Sequence, residues 1–468
     1  MPVNTTHLDY GDWLPTWRRN RGAVDGDRTV KRMREAYLPA SFAGVDPDRY
    51  EQYISRAYFM GVTGRTLRAL LGMVFRKAAI LELPPTLSQL AENINGSGQS
   101  LEQMAKRAVS DVLTVGRYGL LADYPSVPQG ADRATEAAIG ARPILAPYPA
   151  ESIINWRMQA IGGRQRLSLV VLKELVHNPK SNDRFEIDEV EQYRVLEMRD
   201  GVYVQTLFDD GGRVIAEEFA PRMAGGATFD HIPFHFAGAD DNLPTIDTPP
   251  ISDLVAVNMG HYQVTADHRE NLFIHGQLTL GVSTDLSFEE FKIANPAGVV
   301  VGARVGHYLG KGGSFSSVTA PESSSLRGAL ADMESQMVAL GARLVQRGGQ
   351  AETAESARIN ASAEASTLDL VVNNVSEAFE EALEDVARFT GDNPDMIQYR
   401  LNTQFWDQHV SSQDLQAIIS GVGKAFGPLD ALEMIRAGRI VLRDDRSNDD
   451  ILQDAASAAL DEDIGGVN

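Results

Sequence analysis

Residues 326–344 read LRGALADMESQMVALGARL. Leu326, Leu330, Met333, Met337, Leu340 and Leu344 recur at spacings of four, three, four, three and four. That is an unbroken heptad stripe, the pattern of a helix whose apolar seam has to lie against another helix. Gly348-Gly349 interrupts it. Beyond the glycines, Leu368, Val372, Val375, Phe379, Leu383, Val386 and Phe389 keep a helical period up to Gly391, ahead of Pro394. This predicts a second helix from Glu352 to about Thr390. At 1.5 Å per residue it would run about 60 Å, longer than a compact domain usually needs. Upstream of the stripe, Pro249-Pro250 precede a helix from Ile251 to about Leu272. Between that helix and the stripe, Gln277 to Val282 and Val299 to Tyr308 read as strands of a small loop-rich module ending near Pro321.

The first half has a different rhythm. Residues 1–45 are polar and basic, with Trp13, Trp17 and the run Arg18-Arg19-Asn20-Arg21, and read as an arm that docks on something. Helical spacing begins after Asp46-Pro47 and carries Tyr50, Tyr53, Ile54 and Ala57, then Leu67, Leu70, Leu71, Val74 and Phe75, until Pro84-Pro85 breaks it. Ser100 is placed to cap a helix bearing Leu101, Met104, Ala108, Val112 and Leu113, and Gly119 to Pro125 reads as a short buried strand. After an Ala-, Gly- and Pro-rich loop over 125–142, the period becomes strand-like. Arg166 to Leu172, Tyr193 to Met198, Val202 to Phe208 and Val214 to Phe219 are β-branched or apolar runs. Asp200-Gly201 and Asp209-Asp210-Gly211-Gly212 separate the last three, turn chemistry for an antiparallel meander. The fold class is therefore α+β.

Composition narrows the function. The chain has 468 residues, enough for two to four structural units. It has no cysteine, which removes disulfides, thiolate metal sites and cysteine nucleophiles. No apolar run reaches the roughly 20 residues that span a bilayer, so no membrane is expected. Met1-Pro2-Val3-Asn4 has no basic n-region leading into an apolar stretch, which predicts no secretory signal. The net charge is −21, unevenly spread: residues 1–80 hold 13 Lys+Arg against 8 Asp+Glu, and residues 369–468 hold 7 against 20. Such acidity argues against tight nucleic-acid binding, which draws its affinity from Lys and Arg releasing counterions.

Enzyme-like fragments do not assemble into a site. Gly306-His307-Tyr308-Leu309-Gly310-Lys311-Gly312 has three residues between its glycines where a phosphate-binding P-loop has four, and Gly312 where that loop has Ser or Thr. Gly421-Val422-Gly423-Lys424-Ala425-Phe426-Gly427 resembles a dinucleotide turn, but the preceding Leu415, Ile418 and Ile419 have helical spacing. Too little chain follows for the parallel strands such a fold requires. His231 and His235 flank Pro233, which rules out a helix presenting both rings on one face, and they read as loop histidines. His261 and His268 lie seven apart, and the pairs Glu289-Glu290 and Glu380-Glu381 read as solvated helix faces. No catalytic residue, metal or cofactor is expected.

Four stretches, VKRMREAYLP (30–39), RTLRALLGMVFRK (65–77), VGRYGLLADYP (115–125) and YPAESIINWR (148–157), together resemble portal proteins. These are the head-to-tail connectors of tailed bacteriophages and prophages. The order of elements along nearly the whole chain is similar too. The resemblance implies a portal fold with an N-terminal arm (1–45), a mixed wing (46–250), a stem helix (251–273), a clip (274–320) and a second stem helix (321–345). A tunnel loop (346–352), a long wing helix (353–393) and a helical crown (394–468) follow. It further implies a ring of twelve copies at one capsid vertex, assembled in the host cytoplasm and resident in the virion. Double-stranded DNA would pass through the ring non-specifically. Terminase, a head-tail adaptor and the major capsid protein would be its partners. Arg343, Arg347 and Gln350 are the channel candidates, and Tyr308 and Lys311 the clip residues for partner binding. The break from Val345 to Ala351 is shorter than the family pattern, which puts a DNA-gripping loop there in question. A scaffold or minor head protein, or a dinucleotide-dependent enzyme, are the competing readings.

Overall fold

In the computed structural model the basic N-terminal segment is helical, forming α1 (Leu8–Asp25) and α2 (Asp27–Arg32). Trp17 and Val30 are fully buried, and α1 packs against elements of the central body. The described part of the expected arm thus docks on the rest of its own chain. The buried Tyr10, Trp17 and Ala23 recur too sparsely on a polar helix to make a stripe visible in the sequence. The structure describes residues 2–40, 46–124, 142–161, 163–177, 189–276, 279–296, 298–299, 306–318, 324–344, 366–405, 420, 427 and 429.

Next come α3 (Pro47–Arg56), capped by the Asp46 side chain on the Asp48 amide at 3.0 Å, α4 (Val62–Val74), and a short strand β1 (Ile80–Glu82). Helix α5 (Leu101–Val115) is buried on most of its circumference, from Leu101 and Met104 to Leu113 and Val115. Ser100 and Gln103 form a reciprocal capping box at its start. Gly116 ends it at φ +76, where a Cβ would lie 2.4 Å from the Asp247 carbonyl oxygen. Only glycine fits there.

All strand pairs among the described residues are antiparallel. Strand β2 (Arg117–Asp123) is the centre of a three-stranded sheet, flanked by β3 (Ile144–Pro149) and β9 (Phe234–Gly238). Pro147 and Pro149 sit in β3, an edge strand, where a missing amide donor costs little. The expected meander is present and gains a strand at its front: β4 (Ile153–Ile161), β5 (Arg164–His177), β6 (Glu189–Arg199), β7 (Val202–Asp209) and β8 (Val214–Phe219) pair in sequence order. Asp200 and Gly201 both have positive φ, +49 and +79, as a two-residue hairpin turn requires.

The second half follows the predicted order with shifted bounds. Helix α6 (Ser252–Gly276) leads to β10 (Thr279–Ser283), a short helix α7 (Phe288–Ala294), β11 (Ser314–Val318) and α8 (Ser324–Arg343). Of the strand expected over Val299 to Tyr308, residues 300–305 lie outside the described residues and the described residues 299 and 306–308 are non-strand, while a strand forms at Ser314–Val318. Helix α9 spans Thr367–Thr390 and begins at a capping box of Ser366 and Asp369, with Ser366 extended at φ −69, ψ 158. The helix expected to run unbroken through 353–393 therefore cannot pass residue 366. Its end agrees with expectation: Gly391 closes it at φ +80.

The chain divides into two compact units, Met1–Gly72 with Ala79–Leu401, and Met73–Ala78 with Asn402–Asn468. The boundary expected at residue 394 thus falls eight residues later. Strand β12 (Gln398–Arg400) pairs with β1, and Tyr399 stacks on Phe379 of α9 at 5.5 Å, so residues 394–401 belong to the larger unit. In the second unit, Asn402 Nδ2 donates to the Met73 carbonyl at 3.1 Å and Lys77 Nζ to Gln404 Oε1 at 2.6 Å.

Candidate functional site

Helices α6 and α8 pack along each other, outgoing and returning, with the β10–α7–β11 module at their far end. Met333 reaches within 3.8 Å of the position a Cβ on Gly260 would take, and His261 Nε2 lies 3.5 Å from Glu334 Oε1. Near the body the pair is well covered. Leu254, Val255, Met259, Tyr262 and Ala266 are buried on α6, as is Met337 on α8, with Leu344 just past its end.

Farther out this changes. Among the described residues no hydrophobic side chain between Ala266 and Met337 is buried. Leu272, Phe273 and Ile274 are 44%, 39% and 46% exposed, Phe288 and Ile293 are 76% and 78%, and Phe315 is 41%. Leu326 and Leu330 of the heptad stripe are only half-buried against α6. The stripe therefore finds a partner helix in its own chain, but that partner covers its outer half incompletely.

The module is held by polar contacts in place of an apolar core. Asn295, 7% exposed, donates from Nδ2 to the Tyr308 carbonyl at 2.9 Å and to the Phe291 carbonyl at 3.2 Å, while His307 Nδ1 lies 3.3 Å from its Oδ1. Thr284 Oγ1 donates to the Leu309 carbonyl at 2.7 Å, and Ser287 with Glu290 caps α7. The side chains of Tyr308 and Lys311, singled out from the sequence, both face outward, Tyr308 at 64% exposure. The glycines of 306–312 lead into a strand and so open no helix N-terminus for a phosphate.

The channel candidates are less fully placed. Arg343 is exposed on the last residue of α8. Arg347 and Gln350 lie outside the described residues, as does the whole expected tunnel loop and nearly all of the 421–427 glycine run. The ends of the intervening segment do meet: the Leu368 amide donates to the Leu344 carbonyl at 3.2 Å.

Sequence reasoning missed one cluster. His231 and His235, read as loop histidines, converge on a single carboxylate, Asp385 of α9. His231 Nε2 lies 3.0 Å from Asp385 Oδ1 and His235 Nε2 lies 2.8 Å from Oδ2. Their other ring nitrogens reach Asp230 Oδ1 at 2.9 Å and Glu381 Oε2 at 3.1 Å. Arg388 also donates to Asp385, which is fully buried. Pro233 does exclude a helix between the histidines, but β9 starts beside it and the chain still aims both rings at α9. Burial opposes charge on His235, yet the hydrogen bonds its ring donates to Asp385 and Glu381 outweigh it and raise its pKa to about 9. The Asp385 carboxyl, despite the opposing effect of burial, is held well below the usual range by its histidine hydrogen bonds. Among the described residues no group of three or more His, Asp or Glu side chains is arranged to hold a metal ion, and no helix is long and apolar enough to cross a membrane.

A family model described as a domain of unknown function (DUF4055) matches residues 250–390, the stretch from α6 through α9. No curated protein matches the chain. Among solved structures, the chain is similar to a protein in the virion of a native gene transfer agent particle. The identity is 15% and the TM-score 0.43, over 87% of this chain and 98% of that one. It is also similar to a chain in the neck of the empty particle computed with C6 symmetry, at 14% identity and a TM-score of 0.42, over 83% and 94%. A chain in the neck of the native particle computed with C12 symmetry matches at 14% identity and a TM-score of 0.39, over 87% and 98%.

Proposed function

We propose that this chain is the portal subunit of a tailed-phage-like particle, a structural protein that works as a closed ring of twelve copies. The observation that carries the reading is the uncovered outer half of the α6–α8 pair and its module. A monomer would leave Leu272, Phe273, Ile274, Phe288, Ile293 and Phe315 against water, with no core beneath them. Several large apolar side chains left exposed on one projecting part of a fold suit an interface. Neighbouring copies arranged head to tail cover it on both sides, and such contacts close into a ring when the rotation per copy closes. The order of elements, mixed domain, helix, small β module, helix and then the long α9, is the order that the portal resemblance requires.

In this reading the α6–α8 pair is the stem, the β10–α7–β11 module is the clip, and the wall they form surrounds double-stranded DNA. The acidic chain repels phosphate, so DNA slides without being gripped. Arg343 and Arg347 contribute a sparse cationic lining, joined by the neutral amide of Gln350, and exposed contacts of this kind are each worth about 1 kcal/mol or less in salt. The outward Tyr308 and Lys311 belong to the face that meets terminase and later the head-tail adaptor, while the wing adjoins the major capsid protein at the vertex.

Native mass spectrometry with negative-stain imaging tests this. A holed ring of twelve subunits is the expected species at micromolar protein and moderate salt. A protein that stays monomeric across those conditions overturns the proposal, and a filled or open oligomer points to a scaffold or minor head protein.

A further inference from the structure

The cluster around Asp385 does more than neutralise a buried charge. Six side chains from three parts of the fold form a line of alternating sign. Arg166 of β5 lies 3.5 Å from Asp230, Asp230 meets His231, His231 meets Asp385, Asp385 meets His235, and His235 meets Glu381. Arg388 joins at Asp385 and also pairs with Glu384 at 3.6 Å. The line therefore connects the five-stranded sheet, the segment entering β9, and the last two turns of α9.

The geometry fixes the protonation of both rings. Each imidazole has both nitrogens within 3.1 Å of carboxylate oxygens. An ionised carboxylate only accepts hydrogen bonds, and a neutral imidazole has one N–H to give. Both rings must therefore carry two protons to make all four bonds. Charge agrees: Arg166, Arg388 and two imidazolium ions face Asp230, Glu381, Glu384 and Asp385, four against four. Removing one proton from each histidine leaves the group two negative charges in excess around a buried carboxylate, and each neutral ring can then donate to only one of its two carboxylate partners, the other contact becoming a lone pair against an ionised oxygen.

We infer that His231 and His235 act together as a proton-loaded strap that fastens the C-terminal turns of α9 to both sheets, and that losing these protons releases it. The inference stands on one chain and does not depend on ring assembly. The sign follows from linkage. His235 has its pKa raised to about 9 and His231 also has its pKa raised, so their contribution is complete below pH 6.5 and is lost as pH climbs toward 9. Asp385 is held low, so its contribution is present above the ordinary aspartate range and lost only in strong acid.

Exchange of histidine C2 protons, read peptide by peptide by mass spectrometry on the full-length protein, gives the titration midpoint of each ring whatever the assembly size. A midpoint near 9 for residue 235 and one above 6.5 for residue 231 are expected. Amide exchange, corrected for intrinsic rates, should show protection of residues 381–390 falling at least tenfold between pH 7 and 9.5, with residues 104–115 of α5 unchanged. Asp385→Asn should bring both midpoints down to 6.5 or lower and abolish that pH dependence. Either ring titrating at or below 6.5 in the unmutated protein, or protection that is flat with pH, overturns the strap. Should Asp385→Asn fail to fold, the midpoints of the unmutated protein still decide.

Discussion

Asn295 and Tyr308 separate what holds the projecting module from what it displays. The Tyr308 ring stands in solvent, but its carbonyl is tied to the Asn295 amide, and that amide also holds the end of α7. Truncating an exposed ring leaves the backbone link intact, so Tyr308→Ala should leave stability within about 0.5 kcal/mol. Asn295→Ala leaves two carbonyls short of a partner and should cost about 1–3 kcal/mol, confined to the module. Limited proteolysis reads the contrast: cleavage within 279–318 should accelerate several-fold for Asn295→Ala alone. Equal cleavage of the two variants would show that the module is held elsewhere. Tyr308 was legible as an exposed residue because glycines surround it, whereas Asn295 looked like any loop asparagine. His231 and His235 were misread for a related reason. Proline and sequence distance describe only the local chain, and Asp385 lies 150 residues away from His235.

At the scale of elements, turns and caps were the readable signals. Asp200-Gly201 announced the β6–β7 hairpin, and Ser100 announced α5. Strand β3 was hidden by its two prolines, and β9 by its five-residue length next to Pro233. The expected start of α9 at Glu352 rests on the Gly348-Gly349 break and not on the apolar series, which begins at Leu368, where Ser366 and Asp369 have the spacing of a capping box. The heptad stripe was read correctly as needing a partner, and α6 supplies only part of one. Val338, 73% exposed on α8, makes that shortfall testable. In the isolated chain a charge at this position meets water, so Val338→Glu should change unfolding of a dilute monomer by less than about 0.5 kcal/mol. In a ring whose neighbours pack on α8 the same charge is buried without a partner, and sedimentation should show the assembled species lost. Leu272→Glu should behave alike. Intact assembly in both variants would move the interface off the stem.

For the whole molecule, the question that length and composition left open is where the body ends. A break after Gly391 was the natural reading, since a helix stops there and proline follows. The fold instead runs on through Leu401. Ile397, Tyr399 and Leu401 are buried, the Leu401 amide donates to Ser376 Oγ at 3.0 Å, and the Tyr399 amide donates to Glu380 Oε2 at 2.8 Å. These contacts cover α9 around Phe379 and give β1 its only strand partner among the described residues. Residues 402–468, by contrast, carry 5 Lys+Arg against 12 Asp+Glu and cluster as a separate unit with Met73–Ala78. Two truncations therefore have opposite outcomes. A chain ending at Leu401 should keep the cooperative unfolding transition of the body and its assembly. A chain ending at Asn393 loses β12, uncovers Phe379 and removes the hydrogen-bond partners of α9, each a buried loss of about 1–3 kcal/mol, which together consume much of the few kcal/mol by which a domain is stable. Its circular dichroism melt should broaden or drop by well over 5 °C, and rings should fail to form. If the shorter chain melted and assembled like the longer one, residues 394–401 would be an appendage and the body would end at Gly391 after all.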